Sequence, residues 1–454
     1  MAKRSGKRAA RAAEKAAKKH PKLFAAVVVL LVIVLVAAAC YYFFVYRPKH
    51  PDAPDDGTTV TTPDPDEGGT TPDPDEGGTT PDPDEGGTTP DPDEGGTTPD
   101  PDEGGDGVTV VGGDVAEITS ADLSIHFVAP AVKASGDCTL IKVGDTEVLI
   151  DAGPSKANTS EIVDYLGDYC TDGVIEYVIA THSDEDHIAG FVGSKSGGVR
   201  NGIFYSTEYT IGTLIQFDRV VTETSLYGEY CDAVEYIREK GTQVYTGLQC
   251  YNNEDGAQRT YYLDEAQTIS MNILYNYFYD HSAGDNNNNY SVCMLLSQKI
   301  DDEKTDHYLF TGDLEGEGEE YLVEYNDLPQ VELFKAGHHG SKTSSTRELM
   351  DAIRPKYIAV CCCAGYNQYN AAEENVFPTQ AFIDRVAPYT DKVYVTIMWD
   401  EETNGYKPMN GDIVFYYGKS EEESEKTLKL WCSNNSTILK DTEWFKENRT
   451  WNGA

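Results

Sequence analysis

Nine histidines occur in the chain, and four of them stand in two short motifs. The first is Thr-His-Ser-Asp-Glu-Asp-His at 181–187, directly after the apolar run Val174–Ala180. His182, Asp184, Asp186 and His187 put four possible metal ligands within six residues, where a buried strand has to end. Imidazole nitrogens and carboxylate oxygens are donors that suit Zn2+ and Mn2+. Two carboxylates buried this close without a cation would be disfavoured by repulsion and by desolvation. A solvated acidic turn is the plainer reading, but a histidine on either side of it, just past a buried strand, weighs against that. The second motif is Phe-Lys-Ala-Gly-His-His-Gly-Ser-Lys-Thr-Ser-Ser at 334–345, after the strand-like Val331–Phe334. Leu309-Phe310-Thr311-Gly312-Asp313 is another apolar run that ends in an acid, and Gly136-Asp137 and Asp151-Ala152-Gly153 are weaker signals of the same kind. Any turn can hold a Gly-Asp pair. Five such clusters at strand ends in one domain point to hydrolysis by a metal-activated water.

Apolar periodicity supplies the elements that must aim these side chains. Short β-rich runs are predicted at Leu123–Val128, Cys138–Val143, Glu147–Asp151, Val174–Thr181, Met271–Tyr275, Ser291–Ser297, His307–Thr311, Tyr357–Cys363, Lys392–Ile397 and Gly411–Tyr416. Helical spacing appears at Ser160–Tyr169, Tyr230–Lys240 (stopped by Gly241), Glu315–Tyr325, Ser345–Ile353 and Pro378–Val386. Strands alternating with helices predict a layered α/β domain over 108–454.

These motifs resemble the metallo-β-lactamase superfamily, and within it the ComEC-type branch, from about Asp122 to about Tyr417. Gly136-Asp137 is similar to the family's opening strand, Asp151-Ala152-Gly153 to its Asp-x-Gly turn, and His182-x-Asp184-x-Asp186-His187 to the branch's metal motif. Asn288-x-x-Ser291, Thr311-Gly312-Asp313 with Glu319, Lys335-x-x-His338-His339-Gly340-Ser341-Lys342-Thr343-Ser344 and Asn367-x-Tyr369 continue the match. The resemblance implies an αββα sandwich with one or two divalent ions, Zn or Mn. His182 and Asp184 would serve one ion, Asp186 and His187 the other, and Asp313 would bridge. One of His338 and His339 would complete the second site while the other faces substrate, with Asp186 and both histidines in catalytic roles. Lys335, Ser341, Lys342, Thr343, Asn288, Ser291, Asn367 and Tyr369 would contact substrate, although an ordinary polar loop also accounts for 341–343. The chain departs from the pattern in two places. Phe377-Pro378 stands where relatives have His-Pro, and Asn286–Asn289 where many have a metal-binding histidine.

The rest of the chain suggests where such a domain would work. Residues 1–22 carry nine Lys/Arg, and residues 23–46 carry no charge. A helix over 23–46 is long enough to cross a hydrocarbon layer about 30 Å thick. The basic flank predicts a cytoplasmic N-terminus and an extracellular remainder. Within 51–107, Thr-Thr-Pro-Asp-Pro-Asp-Glu-Gly-Gly repeats five times between Thr61 and Gly105, a composition expected to form a disordered, extended stalk. Ten cysteines are too few for a disulfide scaffold, and little pairing is expected. From 108 onward 57 acids face 25 bases, the reverse of a typical nucleic-acid binder. The expected substrate is a phosphoester, with single-stranded DNA the first reading. A small or cell-surface phosphoester of the phosphorylcholine type competes with it, and a non-catalytic, metal-stabilised surface binding module stands as the alternative class. No stable protein partner is predicted.

Overall fold

Strands that are buried on both faces read as unbroken apolar runs, and Tyr357–Ala364 is such a run, with all eight residues buried. Our computed structural model describes residues 115–130, 135–366, 372–417 and 428–453. The tail expected at 1–22, the span at 23–46 and the stalk at 51–107 lie outside the described residues, as do Asn367 and Tyr369. Among the described residues no helix is long and apolar enough to cross a membrane.

Two eight-stranded sheets form the domain. The first comprises β1 (Ser124–Phe127), β2 (Thr139–Val143), β3 (Thr146–Ile150), β4 (Val174–Ala180), β7 (Thr210–Gln216), β8 (Gln243–Thr246), β17 (Ile413–Tyr417) and β18 (Leu428–Cys432), in the order 18-17-1-2-3-4-7-8. A separate small hairpin joins β5 (Lys195–Ser196) to β6 (Val199–Arg200). The second sheet runs in sequence order through β9 (Thr260–Tyr262), β10 (Ile269–Ile273), β11 (Met294–Lys299), β12 (Thr305–Phe310), β13 (Leu333–Lys335), β14 (Tyr357–Ala364), β15 (Val393–Asp400) and β16 (Gly405–Pro408). Antiparallel pairing links β1 to β3 and β9 to β12; the pairing turns parallel from β3 through β8 and from β12 through β15.

Alternation along the central strands of the second sheet separates two cores. Tyr308, Phe310, Leu333, Tyr357, Ala359 and Cys361 face a cluster shared with the first sheet. Leu309, Phe334, Ile358, Val360 and Cys362 face a second cluster together with helical residues such as Leu322, Met350 and Phe382. The architecture is a mixed α/β sandwich.

Nine α-helices occur among the described residues: α1 (Val115–Thr119), α2 (Thr159–Tyr169), α3 (Glu185–Val192), α4 (Ser225–Glu239), α5 (Gly247–Asn252), α6 (Gly316–Tyr325), α7 (Arg347–Ile353), α8 (Gln380–Val386) and α9 (Glu443–Asn448). Helix α4 begins five residues before its predicted start, because the Thr224 hydroxyl accepts the Tyr227 N–H and caps it there. The C-terminal segment is a packed extension. Leu428 and Leu430 enter the first core, and Leu439 and Phe445 the second.

Candidate metal centre

Every segment of the site leaves the edge of a strand at one end of the sandwich. Asp137 precedes β2 and Asp151 follows β3, the 182–187 motif joins β4 to α3, Asp313 follows β12, and His338 and His339 follow β13. Three of these segments are knitted together by their backbones. Asp137 N–H donates to Asp186 O (3.1 Å), Gly153 N–H to Asp137 O (2.9 Å) and Ala152 N–H to His187 O (2.8 Å). A Cβ on Gly153 would sit 1.6 Å from the Asp186 carbonyl oxygen, so the last position of the Asp-Ala-Gly turn must be glycine.

Four side chains converge. Asp186, His187, Asp313 and His339 each offer a ligand atom, and these atoms all lie within 4.8 Å of one another. Asp313 Oδ2 is 3.0 Å from His339 Nε2 and 3.2 Å from His187 Nε2, and Asp186 Oδ2 is 3.2 Å from His339 Nε2. The far side of each imidazole is tied down. His187 Nδ1–H donates to Asp151 Oδ2 (2.8 Å), and His339 Nδ1–H donates to the Cys361 carbonyl (3.0 Å). Both Nε2 lone pairs therefore point into the cluster, the arrangement that outer partners impose on metal-binding histidines. Asp151 is itself fixed by the Thr181 N–H (2.8 Å) and hydroxyl (2.7 Å).

The donors fit a divalent cation. Within the group, His187 Nε2, His339 Nε2 and Asp313 Oδ1 are buried without a hydrogen-bond partner. Leaving one such atom unsatisfied costs about 1–3 kcal/mol, so several in one place call for a positive ion. The local potential points the same way. Burial alone would push the His187 and His339 pKa values down, yet Asp313 together with Asp151 or Asp137 holds both well above the usual imidazole value. Burial would also raise Asp313, but His339, His187 and Lys335 hold it well below the carboxylate range.

The backbone here is bent away from its relaxed forms. His338 and His339 have φ of 45° and 55°, and Asp151 and Ser345 have 58° and 59°. Left-handed conformations in non-glycine residues cost of order 1 kcal/mol each and persist where the surroundings enforce them. Glu319, fully buried on α6, accepts the N–H groups of Ser345 (2.7 Å) and Thr346 (2.6 Å) and so holds the histidine loop.

The remaining predicted residues are placed as follows. His182 is buried, with Nε2 3.7 Å from Asp184 Oδ2. Asp184 turns outward, its side chain 40% exposed and accepting Asn287 Nδ2 (2.8 Å). His338 stands at the rim, its Nδ1 3.0 Å from Thr343 Oγ1 and 3.3 Å from Glu315 Oε1, its Nε2 4.0 Å from Asp313. Of the two adjacent histidines, His339 is the one in the cluster. Lys335 is buried behind the cluster, in contact with Asp137 and 3.5 Å from Asp313 Oδ1. Ser291 is also internal: its hydroxyl donates to Asn288 O (2.7 Å) and accepts Asp313 N–H (3.2 Å). Asn288 Nδ2 donates to Glu315 (3.0 Å), Ser341 Oγ lies 3.1 Å from Thr343 Oγ1, and Lys342 pairs with Glu374 (2.8 Å). Asp137, Asp151, Asn287 and Glu315 also join the site, and none of them is among the ligands or substrate contacts that the resemblance implies. Gly136-Asp137 and Asp151-Ala152-Gly153 were signals for the first two.

Comparison with known proteins adds to this geometry. Residues 131–196 match the family model of the Metallo-beta-lactamase superfamily. Three curated proteins are similar over short stretches. Recombination protein 2 of Haemophilus influenzae is 30% identical over 101 residues, covering 22% of this chain and 11% of that protein. ComE operon protein 3 of Bacillus subtilis is 33% identical over 69 residues, covering 15% and 9%. Competence protein ComA of Neisseria gonorrhoeae is 37% identical over 89 residues, covering 19% and 12%. The matched stretches thus span about a tenth of each relative's length. Among solved structures, the metallo-beta-lactamase fold protein YhfI from Bacillus subtilis aligns over 61% of this chain and 96% of its own, at 12% identity and a TM-score of 0.34. Over these short stretches the chain is similar to ComEC-type competence proteins, and over residues 131–196 to the Metallo-beta-lactamase superfamily.

Proposed function

We propose that the chain is a metal-dependent phosphodiesterase acting on nucleic acid, tethered by its N-terminal segment so that the catalytic domain lies outside the cell. The observation that carries this reading is the quartet Asp186, His187, Asp313 and His339, whose donor atoms converge while outer partners hold the two imidazoles in place. A bound Zn2+ or Mn2+ would lower the pKa of an attacking water and offset charge on the phosphate oxygens. The chain's own residues position and shield that chemistry. Asp151 and the Cys361 carbonyl set the two imidazole orientations, Lys335 offsets the buried charge of Asp137, and the Glu319-held loop presents His338, Ser341 and Thr343 at the rim. The charge-free run at 23–46 and its basic flank support the membrane tether.

A second reading, hydrolysis of a small or cell-surface phosphoester, draws on the acids around the mouth. Asp184 and Glu315 stand there, and Lys342 is already paired with Glu374. Such a rim suits a short substrate better than a long polyanion.

The test is metal analysis of the purified full chain, coupled to turnover of fluorescent single-stranded DNA, bis-p-nitrophenyl phosphate and p-nitrophenyl phosphorylcholine. We expect stoichiometric metal and metal-dependent loss of the DNA. Turnover of the small esters alone would move the assignment to the second reading. Tightly held metal with no turnover of any of the three would make the domain a binding module. Active protein without stoichiometric Zn, Mn or Fe would end the idea.

A further inference from the structure

The two halves of the 182–187 motif are not equivalent. Asp186 and His187 share the converged group with Asp313 and His339. A second group, Asp137, Asp151 and His187, would need the His187 Nδ1 that already donates to Asp151. Among the described residues neither His182 nor Asp184 joins any group of three donors. Asp184 is held outward by the side-chain amide of Asn287, whose oxygen Oδ1 already accepts the Val221 N–H (2.8 Å). Asn287 is therefore used at both ends and is not spare as a third ligand.

Across the cluster, Asp313 divides its two oxygens. Oδ2 faces the imidazoles of His187 and His339, while Oδ1 lies 3.5 Å from the ammonium of Lys335, a side chain only 3% exposed. A carboxylate that gives one oxygen to each of two dications needs both oxygens open. Here the ammonium of Lys335, itself in contact with Asp137, already occupies the space beside the second oxygen.

We infer that the resting centre holds one divalent cation, on Asp186, His187, Asp313 and His339, that Lys335 supplies the fixed charge where a second ion would share Asp313, and that His182 and Asp184 form a two-donor half-site with no resident metal. This rests on the metal-centre reading above and names its stoichiometry. It also gives Lys335 a different task from contacting substrate. The half-site keeps a buried nitrogen, His182 Nε2, that has no hydrogen-bond partner and lies beside the exposed carboxylate of Asp184.

The experiment is a titration of the chelator-stripped full chain with Mn2+, with free ion read by electron paramagnetic resonance. One equivalent should bind at least a hundredfold more tightly than any other. His182→Gln should leave that equivalent within about threefold of its original affinity, and His339→Gln should weaken it at least a hundredfold. Lys335→Met should admit a second equivalent, because the charge of Asp137 and Asp313 is then unmatched. If that variant does not fold, the wild-type and His182→Gln titrations decide alone. Two equivalents of similar affinity in the wild-type chain, or loss of the tight equivalent in His182→Gln, would overturn the inference. No uptake at any concentration would instead overturn the metal centre itself.

Discussion

The domain buries imidazoles in two opposite environments. At the metal centre His187 and His339 sit among carboxylates, which raise their proton affinity despite burial. On β1, His126 is as deeply buried, but hydroxyls serve both its nitrogens: Tyr165 at Nδ1 and Ser124 at Nε2, each 2.8 Å away. There burial, reinforced by Lys142, lowers the pKa to about 3. The same side chain, equally shielded from water, is pushed in opposite directions by what surrounds it. Burial alone is therefore no sign of function. A surplus of negative neighbours with unsatisfied donors is.

The sharpest way to break this comparison is to remove one member of the converged group. His187→Ala or Asp313→Ala should abolish bound metal and reduce turnover by on the order of a thousandfold or more, while far-ultraviolet circular dichroism stays native. His126→Ala should leave metal content unchanged. Next in size is the outer partner. Asp151→Asn weakens the acceptor that holds His187 Nδ1, and metal affinity should fall about 10–100-fold by titration against a competing chelator.

The hydroxyl-lined site predicts a pH effect on folding. His126 stays neutral in the folded domain down to about pH 3, whereas the unfolded chain takes up its proton near the ordinary imidazole value of about 6.5. Its contribution is therefore fully present above about pH 6.5 and is lost as pH falls toward 3, by roughly 1.4 kcal/mol per unit. Chemical denaturation at pH 7 and pH 5 should show this loss in the wild type, and His126→Gln should flatten it. The smallest expected effect belongs to Glu319→Gln. The amide keeps one acceptor for the loop, so stability should drop by only about 1 kcal/mol, seen as a small shift in Tm.

How much could be read beforehand depended on whether a residue's partner was near it in sequence. The strands at Val174–Ala180 and Tyr357–Ala364 announce themselves, since the second is an unbroken apolar run and Glu176 alone interrupts the first. Strand β7, Thr-Ile-Gly-Thr-Leu-Ile-Gln, carries no such signal because its threonines and glycine break up the apolar pattern, and β9 is only three residues long. At the site, the spacing of His182 to His187 and the His338-His339 pair were plain. What each donor touches was not. Asp151 meets His187 across 36 positions, and Asn287 meets Asp184 across 103. The choice between His338 and His339 likewise rests on left-handed backbone at both residues and on a loop anchored by Glu319. No local pattern carries that information.

The four converging side chains come from different sheets. Asp186 and His187 follow β4 of the first, while Asp313 and His339 follow β12 and β13 of the second. An ion seated among them would act as a rivet through both leaves of the sandwich at that edge. Held a thousandfold above its dissociation constant, such a rivet adds about 4 kcal/mol to the folded state. Scavenging the ion would then do more than silence chemistry, because the seam between the two leaves would lose that share of its stability.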